Sequence, residues 1–296
     1  MNQWLGVLSA SRGTTSIDEG KLTQPKITNM SHQLSQADQE QYRRDGFFFP
    51  LRIFSAEEAA DHREQLENLE AKHGPMHYRT KPYLLMKSAI DIAQNLALLD
   101  AVESLLGPDI LLWDSAYVIK EPKNKKYVSW HQDLTYWGLD GEELVTAWVA
   151  LSEVTTENGC MKMFPGSHRE GKYEHHSTFD EENILHRGQE LNLEIDEDRV
   201  VSVELQSGEV SLHYGWTPHA SYPNTSGKRR IGLSLQYLTP RMRQTHTDRE
   251  SATLLRGEDR FNHFRTEPLC TEDFALAMIT FQAEVERLKH KVYDAN

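Results

Sequence analysis

The stretch "GEVSLHYGWTPHASYPNTSGKRRIGLSLQYL", residues 208–238, decides how this chain is read. Two short β-rich runs bracket a turn-forming centre of Pro, Asn, Ser and Gly, the pattern of strands joined by tight connections. It carries two histidines, His213 and His219, and a pair of arginines, Arg229 and Arg230, at the head of the second run. Upstream, "DILLWDSAYVIKEP" (109–122), "YVSWHQD" (127–133), "LVTAWVALSEV" (144–154), "CMKMF" (160–164), "LNLEI" (191–195) and "RVVSVEL" (199–205) read as further short strands. Such a series, punctuated by Gly, Pro, Asn and Asp, is the signature of a sandwich or barrel.

Helical patterns flank this β region. "SQADQEQYRRDG" offers Ser35 as N-cap and Gly46 as a stop, and the segment from Ser55 to Gly74 opens with a Ser55/Glu58 capping box. "SAIDIAQNLALLDAVESLLG" (88–107) has apolar residues at helical spacing and ends at Gly107, which predicts one helix. "TEDFALAMITFQAEVERLKHKVY" (271–293) returns to that spacing, with Thr271 as the expected cap. The reading is a mainly β fold with helices at both ends.

Residues 1–29 are polar, rich in Ser, Thr and Gly, and without periodicity; they are expected to be a disordered extension, with Met30 as the natural start and 30–296 as one domain. "WLGVLSA" has no basic region before it, which argues against a signal peptide.

The net charge of −13, from 32 basic and 45 acidic residues, argues against binding a phosphate backbone. No run approaches the ~18 apolar residues of a membrane span. Two cysteines, Cys160 and Cys270, are too few for a disulfide framework, and a reducing cytoplasm is the expected compartment. A small-molecule substrate is the partner that remains.

"WHQDLTYWG" (130–138) supplies the chemistry. Residues i and i+2 of a strand share a face, so His131 and Asp133 can offer an imidazole nitrogen and a carboxylate oxygen to one metal. A lone His-x-Asp is equally a polar edge, so a third ligand from a distant strand is needed. Two histidines and one carboxylate form the facial set of non-haem Fe(II) oxygenases. His219 and His213 both compete for the distal position, and Arg229 and Arg230 for an anion-binding one. Strand alternation favours Arg230, and the residues alone leave the two histidines open.

The segment His219-Ala220-Ser221-Tyr222-Pro223-Asn224, with Arg230 eleven positions past His219, resembles the C-terminal signature of the phytanoyl-CoA dioxygenase family of Fe(II)/2-oxoglutarate oxygenases. "WHQDLTYWG … AWVALSEVTTENGCMKMFPGSHR" resembles the same family's His-x-Asp block and the loop after it, and the similarity spans roughly residues 36–240. The resemblance implies a double-stranded β-helix, a cupin-like jelly roll. It implies Fe(II) on His131, Asp133 and His219, with 2-oxoglutarate and O2 as cosubstrates. Arg230 would receive the far carboxylate of 2-oxoglutarate, and Ser221, Tyr117, Trp148 and Lys81 match cosubstrate-contacting positions. Retention of the Asp133 carboxylate implies hydroxylation, with 2-oxoglutarate converted to succinate and CO2. Tyr136 and Trp137 are the expected substrate contacts. "SHREGKYEHHSTFDEENILHRGQE" (167–190) reads as a loop over the mouth, whose mixed charge points to a small polar or anionic metabolite such as an organophosphonate or amino acid. Two other classes stay open: a non-oxidative jelly-roll metalloenzyme, and a non-catalytic binding module.

Overall fold

The computed structural model describes residues 33–185, 187–247 and 250–295, with side chains described up to Lys289. The expectations for residues 1–29 lie outside the described residues.

Two sheets dominate. Fifteen strands follow in chain order: β1 Phe47–Arg52, β2 Ile110–Lys120, β3 Val128–His131, β4 Leu139–Asp140, β5 Leu144–Ala150, β6 Met161–Met163, β7 His175–Ser177, β8 Gln189–Leu191, β9 Val201–Val203, β10 Glu209–Tyr214, β11 His219–Ser221, β12 Arg230–Leu238, β13 Arg243–Gln244, β14 Ser251–Arg256 and β15 Arg265–Thr266. The larger sheet runs β1-β10-β5-β12-β2-β14-β15 and the smaller β3-β11-β6-β9. The architecture is the double-stranded β-helix that the sequence implied.

Alternation along the larger sheet separates its faces. On β12, Ile231, Leu233, Leu235 and Tyr237 join Val145, Ala147 and Val149 of β5 in the main hydrophobic core. That core is completed by the helices α1 Gln36–Asp45, α2 Ala56–His73, α3 Lys87–Ala93, α4 Leu96–Leu106 and α5 Leu276–Ala295. The intervening residues Arg230, Ser234 and Gln236 of β12, with Trp148 of β5 and His213 of β10, line an internal cavity instead. Strand β12 is buried on both faces, yet one is apolar and the other polar.

The helix boundaries show which signals hold. Ser35 and Ser55 both form reciprocal capping boxes, with Asp38 and Glu58, and Gly46 ends α1 at φ 87°. The single helix expected over 88–107 is broken. α3 ends at Ala93, and Asn95 turns extended and caps α4 by accepting from the Leu98 N–H. An asparagine side chain competes with the helical backbone for that N–H, which hydrophobic spacing does not register. The last helix starts at Leu276, so Thr271 is not its cap. "LNLEI" contributes only Leu191, as the end of β8. Among the described residues no helix is long and apolar enough to cross a membrane.

Candidate metal and cosubstrate site

His131 is the last residue of β3, and His219 the first of β11; the two are directly paired across these antiparallel strands. Asp133 is not on the strand. It begins a 3-10 turn (Asp133–Thr135), but Gln132 stays extended at φ −121°, ψ 128°, so the two-residue alternation carries through to Asp133. The Gln132 side chain, fully buried, donates to the carbonyls of Gly171 and Trp216, both at 2.7 Å, and accepts from the Tyr173 N–H at 2.8 Å. It pins two loops behind the turn.

One ligand atom from each of His131, Asp133 and His219 lies within 4.8 Å of the others. Nδ1 of His131 is 2.9 Å from the Ser129 carbonyl, and Nδ1 of His219 is 3.0 Å from that of Thr217. A carbonyl only accepts, so Nδ1 carries a proton in both rings and Nε2 is the nitrogen left to face a metal. Both Nε2 atoms face Asp133 Oδ1, at 3.5 and 3.9 Å. The other oxygen, Oδ2, meets Thr146 Oγ1 at 3.3 Å and His213 Nε2 at 3.4 Å. His213 therefore backs the carboxylate from the β10 side, while His219 shares the Oδ1 side with His131.

Burial holds the His219 imidazolium off, helped by repulsion from His131 and opposed by Asp133, and lowers its pKa to about 3. Burial alone would raise the Asp133 carboxyl. The neighbouring imidazoles of His219, His131 and His213 outweigh that and hold it well below the usual carboxylate range. A neutral His219 and an ionised Asp133 are protonation states in which a divalent metal can be held.

The anion site lies beside it. Arg230 is 1% exposed. Its Nη1 donates to the Gly159 carbonyl, its guanidinium carbon sits 5.1 Å above the Trp148 ring, and Nε has no partner. Burial lowers its pKa to about 10, which leaves it cationic at neutral pH. A buried cation without a carboxylate partner is costly unless a ligand supplies the charge. Trp148 is two residues from Thr146 on one face of β5, so the indole that meets the guanidinium and the residue that holds Asp133 stand about 7 Å apart along the strand, at ~3.4 Å per residue. Arg229 points the other way, to Glu70 and Glu121, each at 2.8 Å.

The cavity has a volume of about 380 Å³. Ser221, Trp148, Tyr136 and Trp137 line it, as do Ile184, Leu185 and Gln189 from the loop expected at the mouth. Two expected contacts do not. Tyr117 belongs to the hydrophobic core, because the cavity face of β2 is Asp114, Ala116 and Val118, of the opposite parity. Lys81 is committed elsewhere: its Nζ donates to Glu267 at 2.8 Å and to the Ser251 carbonyl at 2.6 Å, with Glu250 at 3.5 Å. Sequence reasoning also passed over Thr146, Gln132, Gln236 and Asp114. The available signal was a polar residue inside a strand that is otherwise apolar, as in "LVTAWVA" and "ILLWDSAYVIK".

Gly232 was missed as well. A Cβ there would lie 2.0 Å from Trp148 Cζ2, so the indole that shields Arg230 fits only against a glycine.

The family model described as phytanoyl-CoA dioxygenase (PhyH) matches residues 34–232. The chain belongs to the phytanoyl-CoA dioxygenase family. Among solved structures, a non-heme monooxygenase, ThoJ in its apo form, is 33% identical, with a TM-score of 0.77 over 86% of this chain and 97% of that one. CytC3 with Fe(II) and alpha-ketoglutarate, at 20% identity and a TM-score of 0.63 over 82% of this chain and 96% of its own, shares the fold. A probable alpha-ketoglutarate-dependent hypophosphite dioxygenase of Stutzerimonas stutzeri is 29% identical over 158 residues, 53% of this chain and 54% of that protein. The chain spans about half the length of the curated relatives it matches.

Proposed function

We propose that this member of the phytanoyl-CoA dioxygenase family is an Fe(II)- and 2-oxoglutarate-dependent dioxygenase that hydroxylates a C–H bond of a small polar or anionic metabolite, such as an organophosphonate or amino acid. The observation that carries the reading is the pairing of a His-Asp-His cluster with a buried arginine in the lining of one cavity.

Iron would be held by Nε2 of His131 and His219 and by the Asp133 carboxylate. With 2-oxoglutarate and O2 it would supply the oxidation, R–H + O2 + 2-oxoglutarate giving R–OH + succinate + CO2. The chain's own residues do the rest. Ser129 and Thr217 fix both imidazole tautomers through their carbonyls. Thr146 and His213 hold Oδ2, which turns Oδ1 toward the histidines. Arg230 would take the far carboxylate of the cosubstrate in charge-assisted hydrogen bonds, under Trp148 and beside Ser221. Val128, Met161, Ile184 and Leu185 give the cavity an apolar wall, which limits water around the reacting groups. The similarity to a probable hypophosphite dioxygenase, whose substrate would be an inorganic anion, supports a polar substrate.

The test is succinate formation by the purified protein with Fe(II), 2-oxoglutarate and O2 across pooled small polar metabolites, with mass spectrometry for a product heavier by one oxygen. Succinate in step with that product is expected. Turnover of a substrate without 2-oxoglutarate would make it a metalloenzyme of another kind.

A further inference from the structure

We propose that Asp114, Gln236 and Lys289 form the recognition end of the cavity and select a small zwitterion, a molecule carrying both an ammonium and an anionic group. The inference rests on the oxygenase reading above and names the charge of its substrate.

Position comes first. The strand registers pair His213 with Thr146, Thr146 with Gln236, and Gln236 with Asp114. These four residues form one row across β10, β5, β12 and β2. His213 and Thr146 hold the candidate metal ligand Asp133. Asp114 is thus level with the metal site and two strands beyond Thr146, about 10 Å at ~4.8 Å per strand. That is where a substrate would sit beside the metal, away from Arg230 further along the sheet.

Charge comes second. Outside the His-Asp-His cluster and Arg230, the only full charges among the described cavity-lining residues are Asp114 and Lys289. They are ion-paired to each other through Asp114 Oδ2 and Lys289 Nζ, and Asp114 Oδ1 accepts from the Ser115 N–H at 2.8 Å. Their side chains are only 8% and 21% exposed. A ligand of one sign would break this pair and leave the other charge to its neighbours, Asp114 to Lys81 or Lys289 to Glu250. A zwitterion replaces one pair by two, the ammonium on Asp114 and the anion on Lys289, and the balance is kept.

Third, Gln236 presents an unmet acceptor. It is 7% exposed, its Nε2 donates to Ser234 Oγ at 2.7 Å, and its Oε1 is buried with no donor among the described residues. An acceptor directly opposite Asp114 asks for the same thing Asp114 does, an N–H donor. Trp137, tilted against Trp113 at a centroid distance of 5.4 Å, adds an aromatic face to this cavity, suited to an ammonium.

The experiment loads the full chain anaerobically with Fe(II) and 2-oxoglutarate. It then measures calorimetric binding and thermal shift with four matched sets: amino acids and aminoalkylphosphonates, their N-acetyl derivatives, their amides, and N-acetyl amides. Stabilisation confined to the zwitterionic set is expected. Asp114→Asn and Lys289→Met should each weaken binding of that set about ten- to hundredfold, the range for a lost charge-assisted contact. The losses should match charge: Asp114→Asn no longer distinguishes amine from N-acetyl, and Lys289→Met no longer distinguishes acid from amide. Lys289 is on a terminal helix and partly exposed, so its replacement tests the idea even if Asp114→Asn does not fold. Equal stabilisation by all four sets, none by the zwitterions, or an equal loss for every set in the variants would overturn the proposal and make the pair a latch for α5. Failure of the wild type to bind iron and 2-oxoglutarate would overturn the oxygenase reading instead, and this one with it.

Discussion

Replacing Gly232 by alanine should damage cosubstrate binding without altering any charged group of the site. The new Cβ would lie 2.0, 2.3 and 2.4 Å from Cζ2, Cη2 and Cε2 of Trp148, where ordinary contact begins at 3.4 Å. The indole must therefore move by about 1.4 Å or more. Trp148 belongs to the apolar cluster of Ala150, Met161 and Val203 and also lines the cavity, so the open direction is into the cavity. Overpacking of this kind costs about 1–3 kcal/mol. At roughly 2–4 °C per kcal/mol for a chain of this order of size, the melting temperature should fall by several degrees. An indole pushed into the cavity would occupy space beside Arg230 that 2-oxoglutarate needs, so its affinity should drop about tenfold, ~1.4 kcal/mol. Calorimetry of 2-oxoglutarate against the iron-loaded variant, beside a thermal melt, measures both. An unchanged dissociation constant and an unchanged melt would refute the claim that Trp148 is wedged between Gly232 and the anion site.

Thr146→Val removes one partner of Asp133 Oδ2 at nearly constant volume, and Fe(II) affinity measured by competition with a chelator should weaken about 10–100-fold. Lys81→Met should lower stability by about 3–5 kcal/mol in urea unfolding, because Glu267 and Glu250 are left buried without their cation, while 2-oxoglutarate affinity stays as it was; a cosubstrate defect in a fully folded variant would return Lys81 to the site. His77 and His175 are both held neutral, at about 4, chiefly by burial. Their folded values lie below the unfolded 6.5, so the stability they contribute is present above pH 6.5 and is lost as pH falls toward 4. Urea midpoints of the metal-free protein should decline over that window, and a flat profile between pH 6.5 and 5 would contradict it.

The sequence made the chemistry more legible than the packing. His131 and Asp133 stand two residues apart and His219 and Arg230 eleven, so local geometry sets each pair, while the pairing of β3 with β11 brings the two pairs to one cavity. Capping worked where the signal was a side chain bonding its own backbone, as at Ser35 and Ser55. Tyr117 went astray because alternation tells that residues 114, 116 and 118 share a face, but not which face meets the cavity. Lys81 went astray because its partner Glu267 is 186 residues away, and no local pattern encodes that pairing. Lys289 escaped notice for the same reason: periodicity announced a terminal helix, and only the tertiary fold carries its lysine to Asp114 on β2.

The central claim is that iron and 2-oxoglutarate share one site built from the His-Asp-His cluster and Arg230. Anaerobic calorimetric titration of 2-oxoglutarate tests it most directly, run with and without Fe(II) on the wild type, Asp133→Ala and Arg230→Met. Tight binding that needs iron, vanishes in Asp133→Ala and is strongly weakened in Arg230→Met is the predicted result. Binding that ignores the metal, or that survives intact in Arg230→Met, would contradict it.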